Sequence, residues 1–324
     1  MGFRLLLLTS LETPTSLDMV KAWPERLRRE LPELEVHLAE SGVDVPDVIK
    51  TVDAVYGKVE PDAFARARAL RWVQSPLAGP DPNFYHQALV ESDVVVTNMR
   101  GIFNDHIGAH VLALVLGFAR HLPTYAIQQY ERRWKPHTTA VHLPEATALV
   151  VGVGGIGAET ARLCAAFGLT VTGIDPRETV APTGVVRMAG PEALDELLPE
   201  ADFVIVTVPE TPATRGLFTA DRFARMKPTA YFINVGRGAT VELDDLDAAL
   251  RTGKLAGAAL DVFQVEPLPS RHPLWDAPGM VITPHVAAAG PYLNRRRTEV
   301  FFDNCRRFAE GRELRNVVDK ANWF

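Results

Sequence analysis

Residues Gly152-Val153-Gly154-Gly155-Ile156-Gly157 set out G-x-G-x-x-G where a continuous apolar run ends and a helix-forming run begins. Such a turn suits phosphate. Gly152 permits the tight bend, Gly154 lets the backbone approach a pyrophosphate, and Gly157 lets the helix pack close to the strand. The free N–H groups of the helix start, around Gly155 and Ile156, bring partial positive charge to those phosphates. The next apolar run ends in Asp175, about 20 residues further on, where a carboxylate accepts hydrogen bonds from an adenosine ribose and repels a 2′-phosphate. This favours NAD. Arg177 keeps NADP open, because a nearby arginine accommodates that phosphate, although a solvated arginine is the favoured reading.

Three later segments place reactive side chains where strands are expected to end. Asn234-Val235-Gly236-Arg237-Gly238 sets an arginine between glycines. Leu260-Asp261-Val262-Phe263-Gln264-Val265-Glu266-Pro267 carries two carboxylates, and Ile282-Thr283-Pro284-His285-Val286-Ala287 carries a histidine. Ligands of open α/β sheets bind beyond the carboxyl ends of the strands, so the three segments are expected to converge on one cleft. Each has an ordinary structural reading by itself: a solvated turn arginine, a strand exit, a packed histidine. Their fixed order behind a dinucleotide fingerprint is far more specific.

In that order the segments resemble the D-isomer-specific 2-hydroxyacid dehydrogenase family, with further support from Val208-Pro209, Thr214-Arg215-Gly216-Leu217 and His272-Pro273-Leu274-Trp275. The likeness runs from about residue 94 to 318 and is fainter before that. It implies hydride transfer between NAD(H) and a small 2-keto/D-2-hydroxy acid pair, of the glyoxylate or hydroxypyruvate class. Arg237 then resembles the residue that holds the substrate carboxylate, for which a planar fork is better suited than an ammonium. His285 resembles the general acid and base, and Glu266 the carboxylate that orients it. Val208, Pro209, Thr214, Val235, Gly236 and Asp261 resemble cofactor contacts, Asp261 at the nicotinamide end. Formate dehydrogenases carry glutamine in place of this glutamate. Gln264 stands two residues early, so Glu266 points to keto-acid chemistry.

The resemblance also implies a substrate-carboxylate loop in the first domain, matched here by residues 74–81. Ala78 and Gly79 fit as backbone donors, whereas Pro80 departs from the pattern and lacks an N–H. A second departure is Ala109 before His110, where the family often carries an acid.

These loops need parallel strands to present them. Strands are expected over residues 4–9, 35–38, 54–56, 71–74 and 94–97, and again over 148–153, 170–174, 204–208, 230–235, 256–259 and 281–283. Helices are expected over 17–30, 61–69, 106–121, 156–167, 191–198, 243–250 and 293–310. Alternating strands and helices imply parallel sheets covered on both faces. The expected fold is α/β with two Rossmann-like, doubly wound domains and the active site in the cleft between them. Residues 1–99 with 291–324 form the substrate-binding domain, and 100–290 the NAD-binding domain inserted in it.

The chain's 324 residues suit two domains, and its 47% hydrophobic and 23% charged residues suit a globular protein. A formal charge of -6 disfavours nucleic acid as a partner. The one N-terminal apolar run, residues 5–8, is too short for a signal peptide or a membrane span. A cytoplasmic protein with reduced, buried Cys164 and Cys305 and no metal is therefore expected. The apolar 106–121 helix suggests a subunit interface and a homodimer. Alternative readings are an NAD-sensing binding protein of the C-terminal-binding corepressor type, or a dehydrogenase for a phosphorylated hydroxy acid.

Overall fold

The computed structural model describes residues 2–9, 17–40, 47–79, 84–137, 139–177 and 180–321. The elements run β1 (Arg4–Thr9), α1 (Leu17–Glu30), β2 (Glu35–Glu40), β3 (Ala54–Tyr56), α2 (Pro61–Arg66), β4 (Trp72–Gln74), α3 (Gln87–Val90) and β5 (Val95–Thr97). They continue with α4 (Asn104–Ala119), α5 (Leu122–Tyr130), β6 (Thr147–Val151), α6 (Gly155–Ala166), β7 (Thr170–Ile174), β8 (Val185–Ala189), α7 (Leu194–Leu197) and β9 (Phe203–Val206). Last come α8 (Ala220–Arg225), β10 (Tyr231–Asn234), α9 (Leu243–Arg251), β11 (Gly257–Leu260), β12 (Met280–Ile282) and α10 (Leu293–Ala309). The chain divides into two compact units, Met1–Ile102 with Pro291–Phe324, and Phe103–Gly290.

Unit one is a five-stranded parallel sheet in the order β2-β1-β3-β4-β5. β1 is apolar without alternation, and all of its residues after Arg4 are buried, as a strand covered on both faces requires. The returning helix α10 packs here through Phe301 and Phe302, whose rings meet Trp23 of α1 at 4.9 and 6.0 Å. The Trp23 indole N–H donates to Thr298 Oγ1 at 3.1 Å. A second buried tie is Gln74, whose Oε1 accepts from Thr97 Oγ1 at 2.8 Å and from Asn304 Nδ2 at 3.1 Å. Aromatic burial with satisfied polar atoms thus fixes the C-terminal helix to the N-terminal sheet.

Unit two is a seven-stranded parallel sheet in the order β12-β11-β10-β9-β6-β7-β8. β6 lies between β7 and β9, so the chain runs outward through β7 and β8, then crosses over and runs outward again to β12. That reversal places the loop after β6 at a topological switch point. Every residue of β9, β10 and β11 is buried, which accounts for their continuous apolar sequences.

Several sequence expectations shift. The strands expected to reach 153 and 208 stop at Val151 and Val206, because glycine and proline loops begin there. β8 carried no apolar run: it is an edge strand paired only to β7, and Val186 is exposed. The helix expected over 106–121 starts at Asn104 and ends at Ala119. His121 then adopts φ 54°, and the chain turns by 69° into α5, whose early Pro123 can start a helix but not continue one. Pro199, which has no N–H to donate, ends the expected 191–198 helix early; α7 keeps only Leu194–Leu197, between two short 3-10 turns. The expected 61–69 helix stops at Arg66, where Ala67 takes ψ 71° and the chain bends to bury Leu70. Cys164 and Cys305 are buried free thiols, and burial pushes Cys164 up to about 12. Among the described residues no single helix is long and apolar enough to cross a membrane.

Candidate active site

The glycine loop follows β6. Gly152 adopts φ +96°, and a Cβ there would sit 2.8 Å from Val208 Cγ1. A Cβ on Gly157 would fall 2.0 Å from the Gly152 carbonyl oxygen, so the start of α6 can lie against the strand only with glycine at this position. Gly155 is closed off by Asn104, whose Nδ2 would meet a Cβ at 2.6 Å. Gly154, the residue just before α6, differs: a Cβ there would meet only Arg177, at 3.7 Å. Protein packing does not fill that position, and open backbone over a helix N-terminus fits a pyrophosphate.

Asp175 follows β7 and is buried. Its Oδ2 accepts from Val153 N at 3.0 Å and from Arg177 NH2 at 2.8 Å. Its Oδ1 accepts from Arg177 Nε at 2.7 Å and Arg177 N at 3.1 Å. Burial pushes the carboxyl up, but the bonds from Arg177 and Val153 outweigh it and hold the group below the usual aspartate range. Arg177 is solvent-exposed, as expected, but its guanidinium is also folded back onto Asp175 as a fork.

The loops after β9 and β10 interlock. Thr214 Oγ1 donates to Pro209 O at 2.6 Å and accepts from Thr211 N at 2.8 Å, closing the turn behind Val208 and Pro209. A Cβ on Gly236 would meet Val208 O at 2.6 Å, and one on Gly238 would meet the Phe263 carbonyl carbon at 1.9 Å. The glycines flanking Arg237 are therefore demanded by the loops on either side. Buried Asn234 shapes the same turn. Its Oδ1 accepts from Gly236 N at 2.9 Å, and its Nδ2 donates to Arg237 O at 3.0 Å. The Val235 side chain is buried. Arg237 NH1 donates to Gly236 O at 2.7 Å. Burial lowers the Arg237 pKa, with Glu210 and Glu266 opposing that shift.

Glu266 and His285 come from the exits of the neighbouring strands β11 and β12. Glu266 Oε1 accepts from Phe263 N at 2.9 Å, which turns Oε2 toward His285 Nδ1 at 2.8 Å. Gln264 is occupied elsewhere, donating to Val241 O at 2.9 Å. His285 holds φ +54°, a left-handed conformation uncommon outside glycine. Its N–H donates to Asp261 O at 2.9 Å. The buried Asp261 carboxylate secures the residues on either side. Oδ1 accepts from Thr283 Oγ1 at 2.6 Å and Val286 N at 2.9 Å, and Oδ2 accepts from Ala287 N at 2.9 Å. His110 Nε2 lies 3.2 Å from Thr283 Oγ1 and 4.0 Å from Asp261 Oδ1.

Unit two thus presents Arg237, Glu266 and His285 on the exits of the adjacent strands β10, β11 and β12, in the same sheet as the glycine loop. Ala78 and Gly79 belong to unit one, on the loop after β4, where Ala78 O accepts from Asn98 Nδ2 at 2.9 Å. Pro80 and Asp81, the rest of that expected loop, lie outside the described residues. Sequence reasoning assigns no role to Asn234 or Thr283. The signal was nonetheless present, since short polar side chains at strand exits bond the backbone of the turn that follows.

The family described as D-isomer specific 2-hydroxyacid dehydrogenase, NAD binding domain, matches residues 112–287. Glyoxylate/hydroxypyruvate reductase A of Yersinia enterocolitica is 35% identical over 212 residues, 65% of this chain and 66% of that relative. The match thus spans just under two thirds of the relative's length. Among solved structures, a D-isomer specific 2-hydroxyacid dehydrogenase of Xanthobacter autotrophicus Py2, in complex with NADPH and MES, matches with a TM-score of 0.86 at 34% identity, covering 98% of this chain and 99% of that one. The NADPH-dependent glyoxylate/hydroxypyruvate reductase of Sinorhizobium meliloti, in complex with NADP and sulfate, has a TM-score of 0.84 at 28% identity, covering 99% and 100%. With an NAD-binding domain matched over more than half its length and its parallel α/β fold, the chain belongs to the D-isomer specific 2-hydroxyacid dehydrogenase family.

Proposed function

We propose that this protein is an NAD(P)H-dependent reductase of small 2-keto acids, glyoxylate or hydroxypyruvate, working reversibly on the D-2-hydroxy acids. The observation that carries the reading is the 2.8 Å contact of His285 Nδ1 with Glu266 Oε2, beside Arg237 on the next strand exit. When bound, the nicotinamide supplies or accepts the hydride at the substrate carbonyl carbon. Arg237 receives the substrate carboxylate through its guanidinium fork, which also polarises the keto oxygen. Glu266, itself held by Phe263 N–H, fixes the imidazole so that Nε2 faces the substrate. His285 then delivers a proton from Nε2 to the developing alkoxide, and takes it back in the oxidative direction. Backbone of the glycine loop at Gly154, Gly155 and Ile156 would hold the pyrophosphate, and the Val208–Thr214 turn and Val235 would line the rest of the cofactor site.

In this reading, unit one binds the substrate carboxylate partly through Ala78 and Gly79, and unit two is the cofactor domain. We further propose a cytoplasmic homodimer. Exposed Leu122, Ile127, Tyr130 and Trp134, on α5 and the segment after it, supply apolar surface for a second subunit. The test of function is NADH and NADPH oxidation, followed by absorbance, against glyoxylate, hydroxypyruvate, pyruvate and phenylpyruvate. Turnover that ranks glyoxylate or hydroxypyruvate first is the expected result. Cofactor binding without turnover of any of them would overturn the assignment in favour of a nucleotide-sensing protein.

A further inference from the structure

Asp175 stands where an unpaired carboxylate would accept an adenosine ribose and reject a 2′-phosphate. In this chain it is not unpaired. Its two oxygens receive four donors: Arg177 N and Nε on Oδ1, and Val153 N and Arg177 NH2 on Oδ2. Four donors match the lone-pair capacity of a carboxylate, so no acceptor position is left for ribose hydroxyls. The arrangement is built into three consecutive residues. Pro176 restricts the backbone between Asp175 and Arg177, and the Arg177 N–H closes back onto the aspartate side chain. The arginine is half exposed, and its NH2 reaches to within 3.7 Å of a Cβ position on Gly154, the open glycine of the phosphate loop. A guanidinium has five N–H donors, and two of its nitrogens serve Asp175 here, so the half-exposed side chain keeps donors that the aspartate does not take.

We propose that Asp175 is the anchor of Arg177 rather than a ribose acceptor, and that the anchored arginine makes this chain accept a 2′-phosphate, so that it binds NADPH at least as tightly as NADH. The pair carries no net charge, where a lone aspartate would carry a full negative one, so repulsion of the phosphate is removed. Fork geometry then supplies charge-assisted bonds to it. The inference rests on the dinucleotide reading of the glycine loop and sharpens it to a cofactor preference.

The experiment is equilibrium binding of NADH and NADPH, without substrate, to the wild-type protein and to Arg177→Ala, read by calorimetry or quenching of protein fluorescence. The wild type is expected to bind NADPH with a Kd equal to or below that for NADH. Arg177→Ala is expected to weaken NADPH by about 10- to 100-fold, the worth of a hydrogen bond between charged groups. It should leave NADH unchanged or tighter, because Asp175 is released to the ribose. Wild-type protein that binds NADH tenfold tighter than NADPH would overturn the proposal, as would an Arg177→Ala variant that changes both affinities equally. Binding of neither nucleotide would instead overturn the cofactor reading on which it rests.

Discussion

Replacing Asp261 by asparagine tests whether the left-handed backbone of His285 is imposed by its surroundings. The carboxylate gathers Thr283 Oγ1, Val286 N and Ala287 N, on either side of His285, within 2.6–2.9 Å. An amide oxygen placed at Oδ1 keeps the first two as neutral bonds. The amide nitrogen then faces the Ala287 N–H, a buried donor left without an acceptor. Loss of that partner costs about 1–3 kcal/mol, and each charged bond made neutral loses about 1 kcal/mol more. Relief of the carboxylate's own burial offsets part of this, so about 2–3 kcal/mol of net destabilisation is expected. A non-glycine residue at positive φ stores about 1–3 kcal/mol that the surroundings must supply. With the clamp weakened by about 2 kcal/mol, the turn relaxes and turnover falls about 30-fold, at tenfold per 1.36 kcal/mol. Thr283→Val, which removes one donor of three, should cost about 1 kcal/mol and about fivefold. The assay pairs steady-state turnover with thermal unfolding and cofactor Kd. A clamp predicts a loss of kcat and of Tm with Kd unchanged. If Asp261→Asn turns over within twofold of wild type, the clamp reasoning is refuted. If only Kd rises, the carboxylate acts on the nicotinamide end of the cofactor instead.

Other predictions follow from the same geometry. His285→Ala should lower turnover by about 10²–10⁴, the usual worth of a general acid, with cofactor affinity unchanged; near-normal turnover would remove it from the mechanism. Gly157→Ala should abolish cofactor binding and lower Tm, since its Cβ would lie 2.0 Å from the Gly152 carbonyl; calorimetry showing wild-type affinity would disprove the close-packing argument. Asp202 accepts from Thr147 N at 2.9 Å and Lys227 Nζ at 2.8 Å. Burial pushes this carboxyl up, but these bonds outweigh it and hold it below the usual value. Its stabilisation is thus present above its unfolded pKa of about 4 and lost as pH falls through the lower folded value. Asp202→Asn should therefore lower Tm at neutral pH, and the gap to wild type should close in acid; a gap that is the same at every pH would contradict this.

The parts legible in the sequence were those set by local chemistry. The run before Gly152 reads as a buried strand, and the glycine spacing that follows it as a tight turn into a helix, because period and steric freedom are properties of consecutive residues. The segments around Arg237, Glu266 and His285 were equally visible, each being a reactive side chain at a strand exit. What the chain order left open was partnership. Arg177 lies two residues from Asp175 and reads as solvated, yet whether its fork folds back depends on how the backbone leaves β7 beside Val153. Asp261 and the turn around His285 are far apart in sequence and meet only because β11 and β12 are neighbours in the sheet. β8 was hidden for the opposite reason: an edge strand half open to solvent needs no apolar run, and only pairing with β7 makes it a strand. Local sequence therefore determined the elements and the reactive groups at their ends. Tertiary structure alone decided which donor met which acceptor, because hydrogen bonds are set by distances of a few tenths of an ångström between groups that the sheet brings together.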